Sequence, residues 1–403
     1  MENANMCTKN NTTCSDENCL DATQKRPLVS YQKCDEFDKA ILDSIKAKPQ
    51  KTRGGKPFDH VVRRKVASGE YRLQCIPPEV TGTARPIEVY RARRAKNNII
   101  KPWESKTNDE SYCPAHWADI AIGRGPCGYR CRACFLILTH RTFCDPSRHV
   151  LYDNVYEYEN AVKKELNQQG PNLGLGIDCS DSLLYEGVTG HARRIIPLFS
   201  NKQTNPFNRK LILLTKSANV DYLKDLPTTN ILMTFSLNPE PIADMWEGKW
   251  SDGLRITPHI NDRLEASMKT QMMGFEVRWR IDPILPIPDW RHIYKEFFFF
   301  AASASQLPSR ITLGTYREMG RSLLTMAANW GLPKVEFKIN TLTKDGMHYH
   351  IPSEQRIEIY QYLKTIIESA WQIIGKIPAI ALCKESKEVR LATDICHDHC
   401  NCE

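Results

Sequence analysis

Gly123-Arg124-Gly125-Pro126-Cys127-Gly128-Tyr129-Arg130-Cys131-Arg132-Ala133-Cys134 follows directly on the short apolar stretch Ala118 to Ile122. The run is a C-x3-C-x2-C loop entered through glycines at the end of an expected strand, and three thiolates in eight residues point to a metal centre. Three ligands are one fewer than a closed tetrahedral site or a fully protein-ligated [4Fe–4S] cluster needs. A cluster held this way leaves one iron open. An open iron can chelate the amino and carboxylate groups of S-adenosylmethionine and pass an electron to its sulfonium, which is the premise of radical chemistry. Zinc is the competing reading, with a fourth ligand from Cys144, His140 or Cys113. Zinc knuckles usually pair two C-x2-C units, and Cys131/Cys134 has no second such pair in the chain.

Working outward from the loop, short apolar stretches alternate with amphipathic ones. Expected strands are Ala118 to Ile122, Leu173 to Asp178, Lys210 to Thr215, Asn230 to Ser236, Phe275 to Asp282, Arg310 to Leu313, Val335 to Ile339 and Ala379 to Cys383. Expected helices are Val155 to Asn167, Asn261 to Met273, Trp290 to Phe300, Tyr316 to Trp330 and Ser353 to Ile374. This alternation predicts an α/β fold of parallel strands with crossover helices, a complete or partial β/α barrel. Chemistry in such barrels sits at the C-terminal strand ends. Those ends carry the cysteine loop, then Asp178-Cys179-Ser180-Asp181-Ser182, Thr215-Lys216-Ser217, Ser236-Leu237-Asn238, and Arg278, Arg280 and Asp282. Any one Ser or Asp could simply cap the following helix. Five strand ends directing polar groups at one rim suit a zwitterionic methionine moiety and a ribose.

The flanks read differently. Residues 1 to 50 are polar, with Cys7, Cys14, Cys19 and Cys34 at irregular spacing, and read as a mobile extension with one short helix through Asp35 to Lys46. Residues 51 to 112 form a basic region, where Lys51, Arg53, Lys56, Arg63, Arg64, Lys65, Arg91, Arg93, Arg94 and Lys96 interleave with Tyr71, Tyr90 and Trp103. Such a run is either a solvated face or a grip on a phosphate backbone. The barrel is assigned to residues 113 to 383 and a Cys/His-rich tail to 384 to 403, where Cys396, His397, His399, Cys400 and Cys402 could bind a further metal or fray.

Composition sets the bounds. At 403 residues with 41% hydrophobic content the chain can build a large core, and no stretch is apolar enough for a membrane span. Met1 to Asn5 lack the basic and apolar regions of a signal peptide. Fifteen cysteines without a secretory signal suggest metal binding in a reducing cytoplasm, and the net charge of +8 permits a polyanionic partner without demanding one.

The ordered set of motifs resembles one family. The cysteine loop is followed by Cys179-Ser180-Asp181-Ser182-Leu183-Leu184, Leu214-Thr215-Lys216-Ser217-Ala218-Asn219-Val220, Phe235-Ser236-Leu237-Asn238-Pro239, Arg280-Ile281-Asp282-Pro283-Ile284 and Arg310-Ile311-Thr312-Leu313-Gly314-Thr315. In that order these resemble the spore photoproduct lyases, radical S-adenosylmethionine enzymes with a partial β/α barrel that reverse a UV-induced thymine dimer in DNA. The resemblance implies a [4Fe–4S] cluster on Cys127, Cys131 and Cys134, with S-adenosylmethionine contacted by Lys216 and Ser236 together with Ser180 or Asp181. It implies that Cys179 donates a hydrogen atom to the substrate radical, and that DNA or another nucleic acid and an electron donor such as flavodoxin or ferredoxin are partners. It places the loop Asp345 to His350 near the lesion. The family carries relay tyrosines on either side of the third cluster cysteine, and here those positions are Ala133 and Phe135. Without exchangeable hydrogens there, either Tyr129 or Tyr185 substitutes or the cofactor is consumed stoichiometrically. The alternative reading is a non-catalytic zinc or iron–sulfur nucleic-acid-binding protein that retains the fold.

Overall fold

The structure is a computed structural model, and it describes residues 65–102, 117–125, 127–131, 134, 136, 148–250, 252–318, 342–345 and 348–395. The chain divides into two compact units, Met1–Gln32 and Lys33–Glu403, and every described residue belongs to the second. The strands in chain order are β1 (Arg72–Ile76), β2 (Ile87–Ala92), β3 (Ile100–Pro102), β4 (Trp117–Ile120), β5 (Gly123–Arg124), β6 (His149–Tyr152), β7 (Asn172–Leu175) and β8 (Leu211–Thr215). They continue with β9 (Ile231–Leu237), β10 (Glu276–Ile284), β11 (Arg310–Thr315), β12 (Arg317–Glu318), β13 (Thr343–Asp345), β14 (His348–His350) and β15 (Ala379–Leu382).

The main sheet has eight strands in the order β15-β11-β10-β9-β8-β7-β4-β3. Every pair from β4 to β15 is parallel, and β3 adds antiparallel to β4 at the edge. Among the described residues no strand joins β3 to β15, and the fold is α/β with a partial barrel. Parallel neighbours need crossover connections, and helices supply them.

Side-chain alternation sorts the two faces. In β9 Met233, Phe235 and Leu237 join the hydrophobic core, as do Val277, Trp279 and Ile281 of β10 and Ile311 and Leu313 of β11. The residues between them, Thr234 and Ser236, then Arg278, Arg280 and Asp282, then Thr312, therefore face the other way. The helices cover the apolar face. Tyr158, Val162 and Leu166 form an i, i+4, i+8 stripe on the helix Val155–Leu166, and Ile359, Leu363 and Ile367 repeat that spacing on Ser353–Gln372. At the centre Trp279 meets Trp371 edge-on at 5.8 Å between ring centroids and donates its indole N–H to Ser267 at 2.9 Å.

The basic stretch is part of this architecture. β1 and β2 form an antiparallel hairpin in a second sheet, β1-β2-β6-β5, and β3 is the main sheet's edge strand. Arg72 and Arg91 both reach Asp153, at 2.6 and 3.2 Å, and Arg93 reaches Glu157 at 2.6 Å. These charges tie the hairpin to the start of the helix Val155–Leu166.

Several expectations change, and the strand expected over Leu173 to Asp178 stops at Leu175, where the chain turns. Tyr316 does not open a helix: it is buried just past β11 and Arg317–Glu318 pairs with β14 as strand, so the chain stays extended beyond the barrel rim. Apolar periodicity after Tyr316 gave no warning, because a two-residue strand is too short to carry a period. β10 and β11 also run further than expected, to Ile284 and Thr315. The helix Asp35 to Lys46, the strand Val335 to Ile339, the N-terminal cysteines and the tail Cys396 to Cys402 lie outside the described residues. Among the described residues no helix is long and apolar enough to cross a membrane.

Candidate active site

The cysteine loop begins where the chain leaves one sheet for the other. β4 ends at Ile120, and within three residues β5 pairs antiparallel with β6 in the second sheet. Gly123 is dictated by proximity, because a Cβ there would collide with the His149 imidazole. Gly128 is equally constrained, since a Cβ would come 2.5 Å from the Tyr185 hydroxyl and 2.9 Å from Ile87. The loop closes on itself through the Arg130 amide to the Cys127 carbonyl at 3.0 Å and the Cys134 amide to the Cys131 carbonyl at 3.2 Å.

All three thiols sit in one apolar nest. Cys131 is buried within a cluster that includes Ile76, Val89, Tyr129, Leu184 and Tyr185, and Cys127 and Cys134 pack against it. Burial first, then the neighbouring thiols, pushes Cys127 well above the ordinary thiol range. Burial pushes Cys131 up to about 12 despite the opposing Lys216 charge, and raises Cys134 despite Lys216 and Arg280. Uncompensated thiolates are therefore disfavoured here, and a cationic iron–sulfur core is the kind of partner that would bring them out. Among the described residues no three His, Cys, Asp or Glu side chains converge on a single-ion site. Cys127, Cys131 and Cys134 would hold an iron–sulfur cluster through their thiolates.

The next strand ends complete the rim. After β7 the turn Gly176 to Ser180 is closed by the Cys179 and Ser180 amides, both donating to the Gly176 carbonyl at 3.1 and 2.7 Å. Ser180 is buried with a hydroxyl that no hydrogen-bond partner claims among the described residues. Asp181 differs. Its carboxylate accepts from the amides of Leu183 (3.0 Å), Leu184 (2.9 Å) and Lys216 (2.7 Å) and from the Thr215 hydroxyl (2.7 Å), so it fastens the ends of β7 and β8 together. Of the two residues expected to contact the methionine moiety, Ser180 is the one left with an unengaged side chain.

Lys216, just past β8, donates to Ser236 Oγ on β9 at 2.6 Å and lies 3.4 Å from Glu247. Glu247 is fully buried and is gripped by Arg263, whose Nη1 donates to Oε1 at 2.7 Å, and by the Thr257 hydroxyl. Burial works against its charge, yet Arg263 and then Lys216 outweigh burial and hold its carboxyl down at about 2. Arg263 also donates to the Ser236 backbone carbonyl at 3.2 Å, so one ion pair positions both Lys216 and Ser236. Neither Glu247 nor Arg263 was foreseen. No motif marks a loop glutamate, and Arg263 sits on a helix that otherwise reads as ordinary packing.

Near the end of β10, Asp282 Oδ2 accepts from Arg280 of the same strand at 2.9 Å and from Arg317 of β12 at 2.7 Å. Both guanidiniums also approach the Cys383 sulfur past β15, at 3.1 and 3.5 Å. Cys127, Cys131, Cys134, Cys179, Ser180, Lys216 and Ser236 thus all lie past or at the C-terminal ends of neighbouring parallel strands. Ala133 and Phe135 lie outside the described residues. Tyr129 and Tyr185 are buried beside the loop, with the Ser217 side chain next to the first phenol and the Gly128 backbone next to the second.

A solved structure of spore photoproduct lyase complexed with dinucleoside spore photoproduct superposes with a TM-score of 0.56 at 18% identity, covering 72% of this chain and 80% of that one. A double mutant of spore photoproduct lyase with bound AdoMet and dinucleoside spore photoproduct gives a TM-score of 0.53 at 17% identity, covering 68% and 79%. At those identities the likeness is one of fold. A search of curated proteins finds no matching relative. The family model for spore photoproduct lyase matches residues 78–332, more than half of the chain. The chain therefore belongs to the spore photoproduct lyase family and is a radical S-adenosylmethionine lyase, with a [4Fe–4S] cluster and S-adenosylmethionine as cofactors.

Proposed function

We propose that this lyase acts on UV-damaged thymine in DNA or a related nucleic-acid substrate. In this reading Cys127, Cys131 and Cys134 ligate the cluster, Lys216, Ser236 and Ser180 hold the methionine part of S-adenosylmethionine, and Cys179 returns a hydrogen atom to the product radical. When bound, cluster and cofactor together supply a 5′-deoxyadenosyl radical that takes a hydrogen atom from the substrate. The observation that carries the reading is the meeting of three thiols, an ammonium, two serine hydroxyls and a further thiol on successive ends of one parallel sheet.

The residues act as follows. Lys216 offers its ammonium to a carboxylate while Glu247 and Ser236 fix where that ammonium stands. The unengaged Ser180 hydroxyl provides a donor and an acceptor for the amino acid moiety. Cys179 is buried, and burial pushes its thiol well above the ordinary range, so it carries its hydrogen at neutral pH, as a hydrogen-atom donor must. The partner class is nucleic acid, supported by the family membership, and the electron donor is a flavodoxin or a ferredoxin.

Cys179→Ala tests the reading. Cluster loading and cleavage of S-adenosylmethionine should persist, because neither uses that thiol, while a UV-damaged thymine oligonucleotide should give altered products. Identical products from mutant and wild type would remove Cys179 from the mechanism. Wild-type protein that cleaves the cofactor yet leaves the lesion untouched would point to a different substrate.

A further inference from the structure

Gly248 directly follows Glu247. It is buried and its backbone is not in the left-handed region, so space rather than backbone freedom asks for glycine there. A Cβ would stand 2.1 Å from the Tyr129 carbonyl oxygen and 2.5 Å from that of Arg130. Both oxygens belong to the backbone of the cysteine loop, between Cys127 and Cys131, and no side-chain rotation can move them aside. The chain that bears the thiols therefore lies in backbone contact with the residue next to the Lys216 anchor.

Gly248 is carried by a short hairpin with arms at residues 247–250 and 254–257. The Ile256 amide donates to the Gly248 carbonyl at 2.9 Å and the Trp250 amide to that of Leu254 at 2.7 Å, with Lys249 and Arg255 bridged between them. The returning arm is held from two sides: Ile256 is buried in the same apolar nest as Cys131, and Arg255 reaches Glu240 at 2.7 Å. At the tip Asp252 pairs with Arg85, and the Arg130 guanidinium lies 5.9 Å from the centre of the Trp250 ring. Arg130 itself sits at φ 48°, a left-handed conformation that a residue other than glycine keeps only where its surroundings impose it. The hairpin backbone is packed against that residue.

We infer that this hairpin is a positioning element, with Gly248 as its point of contact, that fixes the cysteine loop relative to the Lys216 ammonium. Glu247 sets the ammonium through its side chain, at 3.4 Å, and the next residue sets the loop through its backbone, so one dipeptide governs both. S-adenosylmethionine held at its amino acid end by a cluster on one side and by Lys216 on the other tolerates little error in the distance between them. The inference rests on the reading of Cys127, Cys131 and Cys134 as cluster ligands and of Lys216 as a cofactor contact.

The test uses the anaerobically reconstituted full chain and compares wild type, Gly248→Ala, Trp250→Leu and Lys216→Ala. Iron content and thermal melting establish that each is loaded and folded. Two measures are then read: the affinity for S-adenosylmethionine, and the change that the cofactor makes in the paramagnetic signal of the reduced cluster. Gly248→Ala should keep the signal of the cofactor-free cluster, bind S-adenosylmethionine on the order of tenfold more weakly, and lose or alter the cofactor-induced change. A glycine needed for packing alone would lower the melting temperature and leave both measures at wild-type values in loaded protein. That result overturns the inference, and if Lys216→Ala binds weakly beside it, the reading of Lys216 stands. Wild-type affinity in Lys216→Ala overturns that reading and the inference together. If Gly248→Ala does not load, Trp250→Leu decides, because it removes the ring beside Arg130 and adds no atom against the loop. Binding weakened roughly threefold with an altered cofactor-induced change supports the inference, and wild-type values of both overturn it.

Discussion

Lys216 Nζ lies 3.4 Å from the fully buried Glu247, which belongs to the loop after the next strand and is itself clamped by Arg263. Because Glu247 is held at about 2 when folded and returns to about 4.5 when unfolded, its contribution is complete above about 4.5 and lost as pH falls through 2. The contribution is on the order of 3 kcal/mol. Melting between pH 5 and 2 should show that slope in wild type and lack it in Glu247→Gln, which should also bind S-adenosylmethionine more weakly because Lys216 loses its anchor.

Gly123→Ala should lower iron content after anaerobic reconstitution while leaving most of the helical signal intact. The added methyl group would meet the His149 ring and stand 3.0 Å from the Val150 carbonyl at the root of the cysteine loop. An unchanged iron content would show that the loop relaxes at little cost.

Replacing Cys127, Cys131 or Cys134 singly with Ala should abolish the reducible cluster signal, whereas Cys383→Ala should leave it in place. Cys383 belongs to the Arg280–Asp282–Arg317 group on the far strands. Wild type should carry about four irons per chain at this site. Zinc in their place would return the loop to the competing reading.

Arg72→Gln and Arg93→Gln should change the salt dependence of DNA binding by less than about one unit of slope each. Their charges are already compensated by Asp153 and Glu157 within the same molecule. A large drop in slope would mean that those ion pairs open to receive DNA.

Trp279→Ala should cost about 3–5 kcal/mol in denaturant unfolding, because it leaves a cavity against Trp371 and an orphaned Ser267 hydroxyl. A cost below about 1 kcal/mol would mean that the core collapses into the gap.

What could be read from sequence divides along physical lines. Strands such as Ile231–Leu237 are short apolar runs buried on both faces, and their signal is local, as is the spacing of Cys127, Cys131 and Cys134. Lys216 and Ser236 were legible as strand-end residues because barrel chemistry gathers there. Glu247, Arg263 and Arg317 were not, since each acquires meaning only through a partner distant in sequence. Within the described hairpin Arg72, Arg91 and Arg93 pair with Asp153 and Glu157, partners that a run of arginines does not announce.

Spatial order in the main sheet follows chain order from β4 through β15. During synthesis each new strand leaving the ribosome therefore finds its neighbour already laid down, and the barrel grows by one edge at a time without threading. The cysteine loop is made early and Cys383 last, so a nascent chain holds its three cluster thiols well before the far side of the mouth exists.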